Sequence, residues 1–179
     1  MGRRAGIATI AALALMLAPA SVWATHGPND GPKHDFAAGG GTNGFFQIGL
    51  AAQSGPAGEN PRGYVSARSR PNGGFPVPFR FGGEVTCLLV EQEDEDTTRA
   101  SIKYRFDHAD NPALVGGGIQ IFVEDNGEPE NGQTTDQTAF LPPEPPPAFE
   151  LSQPSVCMDP DAGAYAPGES GNFVVHDAP

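Results

Sequence analysis

The chain has 179 residues, and 22 acidic against 10 basic side chains give it a formal net charge of −12. That field repels nucleic-acid phosphates and anionic lipid surfaces, so neither is expected as a partner. The 24 glycines and 19 prolines leave a thin apolar complement, which excludes a large uninterrupted core.

Residues 1–24 read as an export signal. Arg3 and Arg4 supply the basic start, residues 7–17 are apolar but too short to span a bilayer, and small residues at Val22 and Ala24 place cleavage after Ala24. The paired arginines lack a flanking consensus, so the general secretory route is expected, and no cysteine is near enough for lipid attachment. No later segment is apolar enough to cross a membrane. A secreted or extracytoplasmic protein that does not span the membrane follows.

Residues 25–42 (THGPNDGPKHDFAAGGGT) have no period and many breakers, and predict a flexible leader. Residues 43–179 are then a single β-domain. A first strand is predicted over 43–53, with Phe46, Ile48 and Leu50 on one face. A weaker one follows at 62–68. Gly82-Gly83 marks a bend or bulge before the strand 84–91. The strand 99–107 alternates cleanly: Ala100, Ile102, Tyr104 and Phe106 point one way, Ser101, Lys103, Arg105 and Asp107 the other. Further strands are predicted at 119–124, 136–141 and 172–176, with another candidate at 148–151, beyond a stiff polyproline spacer at 142–147. Seven to eight short strands between long Gly/Pro-rich loops indicate an all-β antiparallel sandwich or barrel.

The hairpin 83–107 is the scaffold of this plan. If its acidic loop leaves the register of a tight turn unchanged, Val90 faces Ala100, Leu88 faces Ile102 and Thr86 faces Tyr104 on the buried side. Cys87 then faces Lys103 on the other side, where the segment carrying Cys157 must cover it. In an exported chain these two cysteines, the only ones, predict a Cys87–Cys157 disulfide.

Few constellations offer chemistry. The run Glu91, Glu93, Asp94, Glu95, Asp96 has no glycine to fold it around an ion and reads as a solvated loop tip. Two other loops are more suited to calcium: Asp125, Asn126 and Glu128 with Asp136, and Asp159 with Asp161. The same residue types also simply form turns. The sequence calls for no cofactor, and calcium is the one cation it offers ligands for. His108, in the segment DHADN, is an acid/base candidate with Asp107 or Asp110, or else a surface histidine. Tyr64, Phe75, Phe79, Tyr104 and Tyr165 are the aromatic candidates for stacking on sugars, although Tyr104 falls on a core face. No nucleophile elbow and no phosphate-cradling glycine loop is present.

The phrases SGPAGENPRGYVSAR (54–68), FGGEVTCLLV (81–90), RASIKYRF (99–106), VEDNGE (123–128) and SGNFVVHDA (170–178) together resemble an uncharacterised secreted bacterial all-β domain. That domain occurs alone after a signal peptide and at the ends of larger surface proteins. The resemblance implies an exported all-β domain and carries over no reaction and no catalytic residue. The chain departs from it where EQEDEDTT replaces a short Gly-Asn-like turn. The expected function is therefore a non-enzymatic extracellular or cell-surface binding or structural module of unknown ligand. The alternatives are a secreted barrel enzyme, a hydrolase or isomerase using loop carboxylates and His108, and a cation-dependent carbohydrate-binding module.

Overall fold

The computed structural model of the chain describes residues 33–71, 73, 77–127 and 136–178; residues 1–24, expected from the sequence to be an export signal, and Phe75 and Glu128 lie outside them. Nine strands appear: β1 (Asp35–Thr42), β2 (Phe46–Ser54), β3 (Arg62–Ser69), β4 (Arg80–Gln92), β5 (Thr98–Ala109), β6 (Gly118–Asp125), β7 (Gln137–Phe140), β8 (Ala166–Pro167) and β9 (Ser170–His176). All pair antiparallel in one sheet of order β8-β7-β6-β5-β4-β3-β2-β1-β9. The sheet curls into a half-barrel, so the all-β antiparallel expectation holds. Only Gly168 and Glu169 separate β8, at one edge, from β9, at the other. Two residues cannot span a flat nine-stranded sheet, so the curl brings its edges together.

The inner face is packed with side chains. Strand β2 alternates buried and exposed positions, sending Phe46, Ile48, Leu50 and Ala52 inward. Val65, Phe81, Val85, Leu88, Ile102, Tyr104, Phe106, Ile121 and Phe173 meet them there. Phe81 and Phe106 pack at 5.0 Å between ring centroids, and Tyr104 and Phe106 edge to face at 5.5 Å. Each large side chain so buried contributes roughly 1.5–3 kcal/mol.

The β4–β5 register has Val90 opposite Ala100, Leu88 opposite Ile102 and Cys87 opposite Lys103, as the hairpin reading expects. Thr86 does not face Tyr104. A bulge between Val85 and Cys87 leaves Thr86 unpaired and puts Val85 against Tyr104. Thr86 Oγ1 is then free to donate to Pro154 O at 2.6 Å.

That bond belongs to a strap, residues 141–165, which covers the outer face of β4 to β6. Cys87 and Cys157 are joined in a disulfide across a sequence separation of 70. Lys103 Nζ, 5 % exposed, donates to Ser152 O at 2.8 Å and to Gln153 O at 3.2 Å. The second face of the hairpin is thus clamped by the segment carrying Cys157.

Three further expectations change. Residues 35–42 are not leader but β1, an interior strand between β2 and β9. Their Ala and Gly residues show no alternation because β2 and β9 supply the bulk; Ala37 alone is fully in the core. The candidate strand at 148–151 is instead the helix α1 (Pro146–Leu151), because Pro146 presets the dihedral of a first helical turn. The proline run is not a free spacer either: Glu144 bridges to Gly118, and Phe149 is buried beneath the helix.

Candidate functional site

The outer face of β1 to β3, continuing onto Arg80, Gly82 and Glu84 of β4 and Asp107 and His108 of β5, lies clear of the strap, and the register lays its side chains out in rows across the strands. One row runs Gly40–Gly49–Ser66–Gly82–His108, from β1 to β5. With only small residues between its ends, it forms a trough. A second row, Gln47–Arg68–Arg80, walls one side. The third row brings Tyr64 opposite Glu84 on the other side. The trough opens as a cavity of about 380 Å³ lined by Gln47, Gly49, Ser66, Arg68, Arg80 and His108 with their neighbours.

Arg68 and Arg80 are exposed and directly opposed across β3 and β4. Arg68 Nε donates to Gln47 Oε1 at 2.8 Å. Among the described residues neither guanidinium has an ion-pair partner, whereas Arg70, Arg99 and Arg105 are each paired with carboxylates. Like charges directly opposed on a sheet are destabilising. In a chain of net charge −12, two unpaired arginines side by side are an anion-attracting patch on an otherwise repelling surface.

The closed end of the trough is built by a second bulge. Gly82 pairs with His108 and Gly83 with Phe106, so Asp107 is the extra residue. Consecutive residues of a regular strand point to opposite faces; here the bulge leaves Asp107 and His108 both exposed on the outer one. Their proximity follows: His108 Nδ1 lies 2.8 Å from Asp107 Oδ1, which also accepts from Tyr64 Oη at 2.9 Å. The Tyr64 and His108 rings lie nearly parallel, 13° apart. The two hydrogen bonds, that of His108 first, hold the Asp107 carboxyl below its ordinary value. Burial, then the bond to Asp107, pushes the Tyr64 phenol up. The His108 ring leans over Gly82, where an added Cβ would come within 2.7 Å of Cε1 and 3.3 Å of Nε2. With Nδ1 engaged by Asp107, Nε2 is the ring nitrogen left for a ligand. The other expected partner, Asp110, instead accepts from the backbone N–H of Arg80 at 2.9 Å.

The loop residues proposed for calcium are occupied otherwise. Asp125 accepts from Gly127 N at 2.9 Å and from Val175 N at 2.8 Å. Asp136 accepts from Asn126 N at 3.2 Å and from Phe173 N at 2.6 Å. These carboxylates sew β9 to the β6–β7 end of the sheet. Glu128 lies outside the described residues. Asp159 caps the short 3-10 turn Pro160–Ala162, accepting from Asp161 N at 2.8 Å. Asp161 pairs with Arg99 at 2.7 Å. The two loops therefore stay apart in role, and among the described residues no group of three or more His, Cys, Asp or Glu is placed to hold a metal ion.

A separate cavity of about 370 Å³ lies at one end of the sheet, lined by Phe45, Phe46, Phe79, Phe140, Leu141 and their neighbours. It is apolar, and among the described residues no Asp or His lines it. Of the aromatic candidates, Tyr104 is in the core and Tyr165 lies under the Arg99 guanidinium at 5.3 Å. Among the described candidates Tyr64 stands beside the trough. Reading along the sequence passes over Arg68 and Arg80, because twelve residues and a loop separate them and only the β3–β4 register opposes them.

No helix among the described residues is long and apolar enough to cross a membrane. Comparison of the chain with protein-family models, with curated proteins and with solved structures finds no match.

Proposed function

We propose that this is an exported binding module whose ligand is anionic and whose binding face is the trough across β2 to β5. The observation that carries the reading is the directly opposed Arg68 and Arg80, without ion-pair partners among the described residues, beside an open cavity in a strongly acidic chain. The disulfide accords with an oxidising compartment, and with it the reading of residues 1–24 as a secretory signal. The acidic surface elsewhere restricts anions to this face by repulsion.

The test is a nuclear magnetic resonance titration with sodium galacturonate at constant ionic strength. Amide shifts centred on Ser66, Arg68, Arg80, Gly82 and His108, lost in Arg68→Gln and Arg80→Gln, support the reading. Shifts scattered over the surface, or none at millimolar ligand, overturn it.

A second reading, a hydrolase or isomerase, is favoured by one feature: the bulge that pairs Asp107 with His108 and leaves Nε2 open at the end of the trough. It requires turnover of a bound ligand that His108→Gln abolishes while binding persists.

A further inference from the structure

We propose that the trough takes an extended acidic glycan, a chain of hexuronate units lying across the strands. The proposal rests on the anion-binding reading above and specifies the ligand. The row from Gly40 to His108 crosses five strands, a length of roughly 19 Å at the usual strand spacing. Such a path is far longer than a single small anion needs. Nothing larger than Ser66 stands on its floor between the ends, so a chain can lie against the backbone.

The two walls differ, and the difference selects the chemistry. Arg68 and Arg80 stand on one side, with Asp110 held at the Arg80 backbone; Tyr64, Glu84 and Asp107 stand on the other, where Arg105, opposite Glu84, is paired with Glu150. A ligand suited to both has a carboxylate on one side of a unit and hydroxyl donors on the other, as a hexuronate ring does, with its carboxyl on C5 and hydroxyls on C2 and C3. Gln47 and Ser66 add hydrogen-bonding groups, and Tyr64, 40 % exposed, offers an aromatic surface. An extended peptide gains its affinity from the unpaired backbone at a sheet edge, and this trough lies on a face.

Gly49 gives a clean probe. A Cβ added there meets only Ser66 Oγ, at 3.6 Å, and Gly49 has no unusual backbone dihedral. Valine at this position therefore fits the strand while filling the floor. The experiment is calorimetric titration at constant ionic strength with tetragalacturonate, galacturonate and neutral maltotetraose, on wild type and Gly49→Val. Tetragalacturonate is expected to bind at least tenfold more tightly than the monomer, and maltotetraose at least tenfold more weakly than tetragalacturonate. Gly49→Val is expected to lose at least tenfold for the tetramer with the melting temperature kept. Ser66→Leu, at the adjacent exposed position, repeats the test if Gly49→Val folds poorly. Equal affinity for monomer and tetramer, or unchanged tetramer binding in both variants, overturns the chain proposal while leaving a simple anion site. Equal affinity for maltotetraose overturns the acidic part. Absence of galacturonate shifts in the trough of the wild-type protein overturns the underlying reading itself.

Discussion

Asp136 Oδ2 accepts a hydrogen bond of 2.6 Å from the backbone N–H of Phe173, joining the residue before β7 to the middle of β9. Asp125 Oδ2 does the same for Val175 N, two residues on along β9. Alternate N–H groups of an edge strand are thus satisfied by side chains where no neighbouring strand supplies carbonyls. These contacts, rather than ladder pairing, close the curled sheet on itself.

The closure role and a calcium role make opposite predictions for Asp136→Ala. Asp136 is 1 % exposed, and its loss orphans the buried N–H of Phe173. A buried donor so left costs about 1–3 kcal/mol. Urea unfolding in the presence of EDTA should therefore show the variant at least about 1 kcal/mol less stable than wild type. A difference that appears only when calcium is added would return Asp136 to the metal reading.

Reduction of the disulfide should loosen the strap without unmaking the sheet. The Cys87–Cys157 bridge closes a loop of 70 residues, for which loop-closure entropy gives about 4 kcal/mol, an upper figure in practice. The inner face owes nothing to the strap, since its packing lies on the other side of the sheet. Cys87→Ser/Cys157→Ser is expected to fold with lower stability. Hydrogen exchange should quicken at Ser152 and Cys157 while the amides of Ile102 and Ile121 stay protected. Loss of protection in β5 and β6 together with the strap would show that the sheet depends on it.

What the sequence reveals here follows the direction of the chain. Strand β5 was legible because Ala100, Ile102, Tyr104 and Phe106 alternate with polar residues over a single run. The pairing of Cys87 with Lys103 followed from it, and the strap over that face from Cys157. Features that run across strands were not legible. Gly40 and His108 belong to one row only because four registers place them there. The bulge at Thr86 leaves no local mark, whereas the one at Asp107 lies opposite Gly82-Gly83, the pair that marks a bend or bulge in the sequence. Strand β1 was hidden because Gly39-Gly40-Gly41 reads as a breaker, although close pairing with β2 and β9 is what it permits.

Tyr104 is fully buried in the core, and its hydroxyl has no hydrogen-bond partner among the described residues. Burial pushes the phenol well above its ordinary value of 10.0. Above about pH 10 the unfolded chain releases this proton while the folded chain keeps it, so stability falls as pH rises, by up to about 1.4 kcal/mol per pH unit. Tyr104→Phe removes both the stranded hydroxyl and this linkage. It is expected to be more stable at pH 7 by roughly 1 kcal/mol, and the gain should widen above pH 10. Denaturant titrations at pH 7 and pH 10.5 decide it; a less stable phenylalanine variant would mean that the hydroxyl has a partner.

The opposed arginines should carry a measurable cost in the free protein. Arg68 gives up little when replaced by glutamine: one exposed hydrogen bond to Gln47 is lost, and the repulsion with Arg80 goes with it. Cross-strand pairs of this kind act at the level of a few tenths of a kcal/mol to about 1 kcal/mol. Arg68→Gln is therefore expected to equal or slightly exceed wild type in melting temperature at low salt. Its advantage should shrink as salt screens the pair, because exposed charges interact over only about 8–10 Å at physiological ionic strength. In the same variant galacturonate binding should fall at least tenfold. Stability gained where binding is lost is what a site held open for a ligand produces. A variant that loses stability and keeps binding would instead make Arg68 a structural residue, and the trough would lose its anion.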